Sequence, residues 1–300
     1  MRYLYIVGNG FDIAHGIKSR YSDYREWLKD HNTNLFNKLV ATYGDEETFW
    51  WEFEKNLSNI DVDKYKEDNE SNYEPVKPEE LNRTMKSIRW CPTASQLEDL
   101  YIRVTNMFEN WVYDLEKEQR KLKKRFVLKK RSAMFLSFNY TSTLEDLYKV
   151  PDVKILHVHG RARTLGFGHL VLGHNIDRDS FINLYKRKHG LSDDFDIYEL
   201  GEDIQNLIDQ VVRLYKSVGY YIYKNRKWFQ RIVNVKRINI IGVSFSEVDM
   251  KYFDWIVENH KQINGVKWKV TWHSLEDKNR VLAFFERHHV PSKKYRLFHK

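Results

Sequence analysis

The chain has 300 residues and 36.4 kDa, with 13 Gly, 5 Pro and 45 aromatic residues, which excludes a disordered, collagen-like or low-complexity protein because that many rings require a core. A single cysteine, Cys91, excludes an intrachain disulfide framework and a clustered-thiolate zinc site, and points to a reducing, cytoplasmic setting. The net charge of +8 is concentrated, since the stretch from Lys117 to Arg131 carries nine Lys/Arg against one acid and the rest reads as nearly neutral.

The first seven residues are too short for a signal-peptide core, and no apolar run approaches the roughly 20 residues needed to span a bilayer. They predict a buried strand over 3–7, closed by a glycine turn. Residues 20–131 are mostly helical in character, with Leu35, Leu39 and Val40, then Trp50, Phe53 and Leu57, at helical spacing. The polar stretch 61–80, closed by Pro75 and Pro78, predicts a mobile loop. A long helix is expected from Thr93 through Leu122, its basic end complementing the helix dipole.

Beyond Arg131 short apolar runs alternate with helical segments. Strands are expected at 133–138, 153–158, 169–172, 237–241 and 266–272. Helices are expected at 141–148, within 179–234, at 247–263 and at 276–288. This alternation predicts an α/β fold: a Rossmann-like parallel sheet flanked by helices, with a large helical insertion after the first strand. The core is assigned to 1–20 and 132–300, and the insertion, packed on it, to 21–131.

Several apolar runs end in glycines and short polar residues. In a parallel sheet these ends share one edge, where ligands bind. Gly8 and Gly10 suit either a phosphate-binding turn or a strand-to-helix turn needing positive φ. Asp12 is a candidate site carboxylate or a helix cap. Asn139 suits orienting a water or ribose hydroxyl, or serves as a turn residue. His157 and His159, two apart on an extended segment, are expected on one side. One is a candidate general base, with His159 preferred, and the other is structural. His174 is a secondary candidate on a further turn.

Gly242 and Ser244 are expected to contact ribose or phosphate, with Asp249 opening the next helix. Glycine is missing where Ser246 stands, so there is no hydrolase elbow. No ligand spacing for a metal is found. The Lys117–Arg131 run is read as a solvated face, or less readily as a nucleic-acid contact.

Taken together, residues 4–16, Trp50-Trp51-Glu52-Phe53-Glu54, 135–141, His157-Val158-His159-Gly160, Leu172-Gly173-His174 and 242–249 resemble the AbiH family of bacteriophage abortive-infection proteins. That family more remotely resembles the sirtuin-like domains of antiphage NAD-cleaving enzymes. The resemblance implies a sirtuin-like site in which Asn139 positions water or ribose and His159 is the catalytic base. Gly8, Gly10 and Ser244 then line a site for NAD or a related nucleotide. The expected binding set is completed by Asn9, Phe11, His157, Gly160, His174, Gly242, Ser246 and Asp249.

The first loop departs from the sirtuin-like pattern, with Asn9 for alanine and Asp12 for serine, and Thr141 replaces an acid. One cysteine excludes the zinc ribbon of a protein deacetylase. The reaction expected is N-glycosidic cleavage, with Asp12 beside the developing positive charge. A nucleotide sensor acting through a partner and a basic RNA-binding or nuclease effector are the alternatives. Expected partners are the nucleotide, a phage-derived activator and a second copy of the chain.

Overall fold

The computed structural model describes residues 2–70, 91–118, 122–161 and 170–299. Its centre is one six-stranded sheet of β1 (Tyr3–Val7), β2 (Ala133–Ser137), β3 (Ile155–His157), β4 (Arg237–Ile241), β5 (Lys267–Trp272) and β6 (Tyr295–His299). The spatial order is β3-β2-β1-β4-β5-β6, and every pairing is parallel, with Tyr3 opposite both Ala133 and Arg237. This is the doubly wound order in which the chain builds outward from β1 on one side, then restarts on the other.

Alternation along the strands explains the covered faces. Leu4, Ile6, Met134, Leu136, Ile238, Ile240, Trp268 and Val270 point to one side. There they meet Tyr252, Phe253 and Ile256 of the helix Met250–Asn259 and Phe284 of the helix Leu275–Arg287. Tyr5, Val7, Phe135 and Ile241 point to the other, against Phe11, Leu144 and Tyr148.

The chain divides into two compact units. The sheet unit comprises 1–24, 108–171 and 217–300, and the second comprises 25–107 and 172–216. The boundaries differ from the sequence reading in three places. Residues 172–216 join the helical unit, and 21–24 and 108–131 join the sheet unit. The first difference has a visible cause: Glu54 of the Trp-Trp-Glu-Phe-Glu run and Lys216 form an ion pair of 2.6 Å, with both side chains at most 10 % exposed. Breaking such a buried pair on one side costs about 3–5 kcal/mol. The pairing is invisible in sequence, because its partners are 162 residues apart.

Local differences have local causes. Val62–Glu70, read as loop, is a helix that buries Val62 and Tyr65, while 71–80 lies outside the described residues. The long helix runs Pro92–Glu118, and from 122 to 129 the chain is non-helical, so the basic run does not extend the helix. Residues 170–172 form no strand; residue 169 lies outside the described residues. The expected helix 247–263 begins only at Met250, after the turn in which the Asp249 N–H donates to the Ser246 carbonyl. The edge strand β6 escaped the reading because it is short and half-exposed, its apolar alternation limited to Tyr295 and Leu297 before Phe298 breaks it.

Candidate functional site

The carboxyl ends of β1, β2, β3 and β4 bring the sequence motifs of the sheet unit to one edge. The turn after β1 starts the short helix α1 (Asn9–Ala14). Gly8 N–H donates to the Ile241 carbonyl at 3.1 Å, and Gly10 N–H to the Gly242 carbonyl at 2.8 Å. Phe11 N–H donates to Gly8 O. These donors, which a phosphate loop would direct at its ligand, are engaged in joining the β1 turn to the β4 turn.

Glycine is needed here for proximity. Gly8 has φ −127°, but a Cβ on it would lie 2.7 Å from Gly242 O. Gly242 does occupy the left-handed region, at φ +65°, and a Cβ there would lie 2.2 Å from Phe11 N. Gly160 is likewise at φ +84°. Phe11 sits in the core, its ring 5.1 Å from Phe126. Asn9 ties the helix start to Ser19 through both ends of its amide.

Asp12 is 1 % exposed and does not cap the helix. Burial pushes its carboxyl up to about 6, against hydrogen bonds from Thr141, Thr143 and Asn139 that lower it. Thr141 Oγ1 donates to Oδ2. Asp12 Oδ1 and Asn139 Oδ1 are both buried without a protein partner. Buried polar atoms are nearly always satisfied, so these two oxygens mark where a water or a ligand is held. The backbone of Asn139 is locked: its N–H donates to Ser137 Oγ, and its carbonyl accepts from His157 Nδ1 at 3.0 Å.

The two histidines do not share a strand face. β3 ends at His157 and a turn occupies 158–159, which sends the rings to different partners. His157 Nε2 lies 2.9 Å from Glu145 Oε1, which also takes Arg161. Burial raises the Glu145 carboxyl, but the His157 and Arg161 contacts outweigh it and leave the group below its ordinary value. His157 thus supports the Asn139 loop.

His159 is 3 % exposed, with Nε2 3.1 Å from Asp249 Oδ1. Phe138 and Tyr140, which flank Asn139 in the chain, lie 5.6 Å and 5.9 Å from its ring, and Tyr252 lies 6.2 Å away. Asp249 precedes the helix Met250–Asn259 without a side-chain capping bond, and its carboxylate lies beside the imidazole at ion-pair distance.

Ser244 is exposed, and its carbonyl accepts from Arg280 at 3.5 Å. Ser246 contributes its carbonyl to the turn before Asp249. Between them Phe245 is held at φ +54° while fully buried against Phe253, 4.6 Å between rings. A bulky residue in that region is strained, and Phe245 lies in the turn that joins β4 to Asp249.

His174 belongs to the other unit. Its Nε2 donates to the Val211 carbonyl, and its Nδ1 accepts from Ile176 N–H. Burial pulls it down to about 4, so the ring is neutral and fully bonded. Sequence reasoning missed Thr141 as the Asp12 partner, although its place two residues after Asn139 was the available signal. It also missed the bracing role of Glu145 and Arg161. Among the described residues, no group of three or more His, Cys, Asp or Glu is arranged to hold a metal, and no helix is long and apolar enough to cross a membrane.

The strand order and the polar groups at the carboxyl edge define a doubly wound α/β protein with one candidate site in its sheet unit. The family model for bacteriophage abortive infection AbiH matches residues 4–272. The chain belongs to the AbiH family, and its role is in antiphage abortive infection. No curated protein matches the chain.

Proposed function

We propose that this edge hydrolyses the N-glycosidic bond of NAD or a related nucleotide, and that the antiphage effect follows from the loss of that nucleotide. The observation that carries the reading is the pairing of two unpartnered buried oxygens, on Asp12 and Asn139, with a buried imidazole whose Nε2 lies 3.1 Å from the Asp249 carboxylate. The remote sirtuin-like resemblance of the same motifs supports the substrate class.

In the reaction a water oxygen forms a bond to C1′ of the ribose as the bond from C1′ to the base nitrogen breaks. The electron pair stays on that nitrogen, so nicotinamide departs neutral and needs no strong acid. The water's proton goes to His159, and Asp249 stabilises the imidazolium. Asn139 orients the water or the ribose hydroxyls. Asp12, pushed up to about 6, is mostly ionised at pH 7 and faces the cation-like sugar. With the Gly8 and Gly10 donors engaged, the substrate's ribose, not its phosphates, is the part recognised at this turn.

The test is nicotinamide release from NAD by the purified chain, alone and with lysate of phage-infected cells as a source of activator. It is paired with calorimetry of NAD and ADP-ribose binding. His159→Ala is expected to lower turnover at least a hundredfold while binding persists. Equal NAD consumption by both proteins would overturn the assignment, and binding without product by wild type under either condition would identify a nucleotide sensor instead.

A further inference from the structure

We infer that the opposite, amino-terminal edge of the sheet is a binding surface for the phosphate backbone of duplex nucleic acid. Every strand is entered through a cation: Arg2 before β1, Arg131 before β2, Lys154 before β3, Lys236 before β4, Lys267 opening β5 and Lys294 before β6. Since all six strands are parallel, these residues line one edge. The backbone confirms the adjacency: Arg2 N–H donates to Ser132 O, Lys236 N–H to Arg2 O, and Lys267 N–H to Lys236 O.

The segments forming this edge are residue 2 and residues 129–132, 149–154, 230–237, 260–267 and 288–294. Together they hold 13 Lys and Arg and one acid, Asp152. That acid is already paired with Arg161. The basic run read from the sequence as a single local patch is thus one sixth of the entries to a continuous cationic edge, and the rest of the chain is net negative.

A structural explanation covers only part of this charge. Helix carboxyl ends gather at this edge and favour cations. Lys130 Nζ bonds the Tyr148 carbonyl, and Lys154 Nζ bonds the carbonyls of Lys130 and Arg131. Both are half-buried. Nine of the 13 cations are exposed, and none of these pairs with a carboxylate among the described residues. Like charges held together repel and destabilise the fold unless a polyanion meets them.

Residues 122–131 add an ordered strap. Phe126 and Leu128 face the core, while Lys123, Lys124, Arg125 and Lys129 face outward. Tyr148 and Tyr5 hold its backbone, Tyr148 accepting the N–H groups of Arg125 and Phe126 at 3.0 Å and Tyr5 that of Lys129 at 3.1 Å.

Dimensions and composition favour nucleic acid over a lipid surface. Six strands at ~4.8 Å spacing span about 24 Å. A duplex of that length carries about 14 phosphate charges, and the exposed cations are enough to neutralise those on the side that faces the sheet. The exposed large apolar residues of these segments are Val127 and Val153, without the Trp, Phe or Leu that anchors a protein in lipid. The inference does not rest on the glycosidic reading, because the two faces are opposite edges of the sheet.

The test is fluorescence anisotropy of a 20-base-pair duplex of arbitrary sequence with the full chain at 50 and 200 mM salt, without any nucleotide substrate. Binding is expected to weaken about a hundredfold over that range, as for four neutralised phosphates. Lys236→Glu with Lys267→Glu, which lie outside the basic run, should weaken binding at least tenfold and reduce the salt slope by about 2. Lys251→Glu, at the other edge, should stay within twofold of wild type. Circular dichroism melts matched to wild type secure the comparison, and Lys236→Gln with Lys267→Gln replaces the reversal if it unfolds. No binding at 50 mM salt, or equal loss from Lys251→Glu, would overturn the inference. Tighter association with phosphatidylserine vesicles than with the duplex at 200 mM salt would do the same and assign the face to a membrane.

Discussion

The two edges of the sheet are built on opposite electrostatic plans. At the carboxyl edge Asp12, Asn139 and His159 are almost fully buried, and two of their oxygens have no protein partner. At the amino edge the charges are exposed, numerous and of one sign. Buried, sparse and strained groups suit chemistry on a small molecule, since each interaction is strengthened where water is excluded. Exposed cations on a broad face suit a polyanion, which is held by many weak, salt-sensitive contacts. One parallel sheet supplies both, because its strand ends segregate the two kinds of loop.

The comparison breaks most readily at Asp249. Asp249→Asn leaves the volume unchanged but removes the charge 3.1 Å from His159 that, on the proposed mechanism, stabilises its protonated form. Turnover is expected to fall about a thousandfold, ~4 kcal/mol of transition-state stabilisation. Duplex affinity should stay within twofold. A variant that lost duplex binding and retained turnover would reverse the roles of the edges.

The next effect is on the scaffold of the carboxyl edge. Gly242→Ala places a Cβ 2.2 Å from Phe11 N on a backbone at φ +65°, so the β1 and β4 turns must separate. We expect a loss of about 3–4 kcal/mol in urea unfolding. An unchanged midpoint would show that the Gly8 and Gly10 donors can be released, which would restore the phosphate-loop possibility.

Asp12→Asn should separate function from stability. In the folded protein Asp12 is raised from 3.8 to about 6. Its proton-linked stability is full below about pH 4, and is lost as pH rises through 6. At pH 7 the native state therefore carries an ionised, buried carboxylate at a cost of at most about 3 kcal/mol. Asp12→Asn should raise the melting temperature at pH 7, show little difference at pH 4, and lose turnover. A lower melting temperature at pH 7 would mean that the charge has a stabilising partner.

Much of this architecture was legible in the sequence, and the exceptions are instructive. β4 at 237–241 and the helix Leu275–Arg287 follow the expected spans closely, because apolar periodicity reports burial directly. The order of polar clusters at strand ends indicated which loops share an edge, since parallel topology alone brings them there, but not which side chains meet: His174 lies in the other unit, and Thr141 and Glu145 were missed. What stayed hidden depends on distance in sequence. Glycine spacing does not reveal whether a turn's N–H groups face a ligand or a neighbouring turn, and here Ile241 and Gly242 take them. Nor does a count of charge along the chain detect an edge to which six separated segments contribute, one or two cations at a time from most of them. For Gly8 and Gly10 the sequence leaves a phosphate-binding turn and a strand-to-helix turn both open, and the basic run shows only the part of the edge that is contiguous in the chain.

The smallest effect is expected at Tyr148, whose phenol links the two plans. His15 Nδ1 lies 2.6 Å from the Phe11 carbonyl, which can only accept, so its Nε2 accepts the Tyr148 proton at 2.7 Å. The same oxygen accepts the N–H groups of Arg125 and Phe126. Tyr148→Phe keeps the ring contacts with Phe11 but leaves these groups without their partner. Because the strap is half exposed, water can reach the freed N–H groups, so the cost should be about 1–2 kcal/mol in urea unfolding. The basic strap should then exchange its amide hydrogens faster, and duplex affinity should fall two- to threefold while turnover persists. If strap exchange and affinity are both unchanged, the phenol is only a core contact, and the order of the cationic edge must come from Tyr5 and the sheet itself.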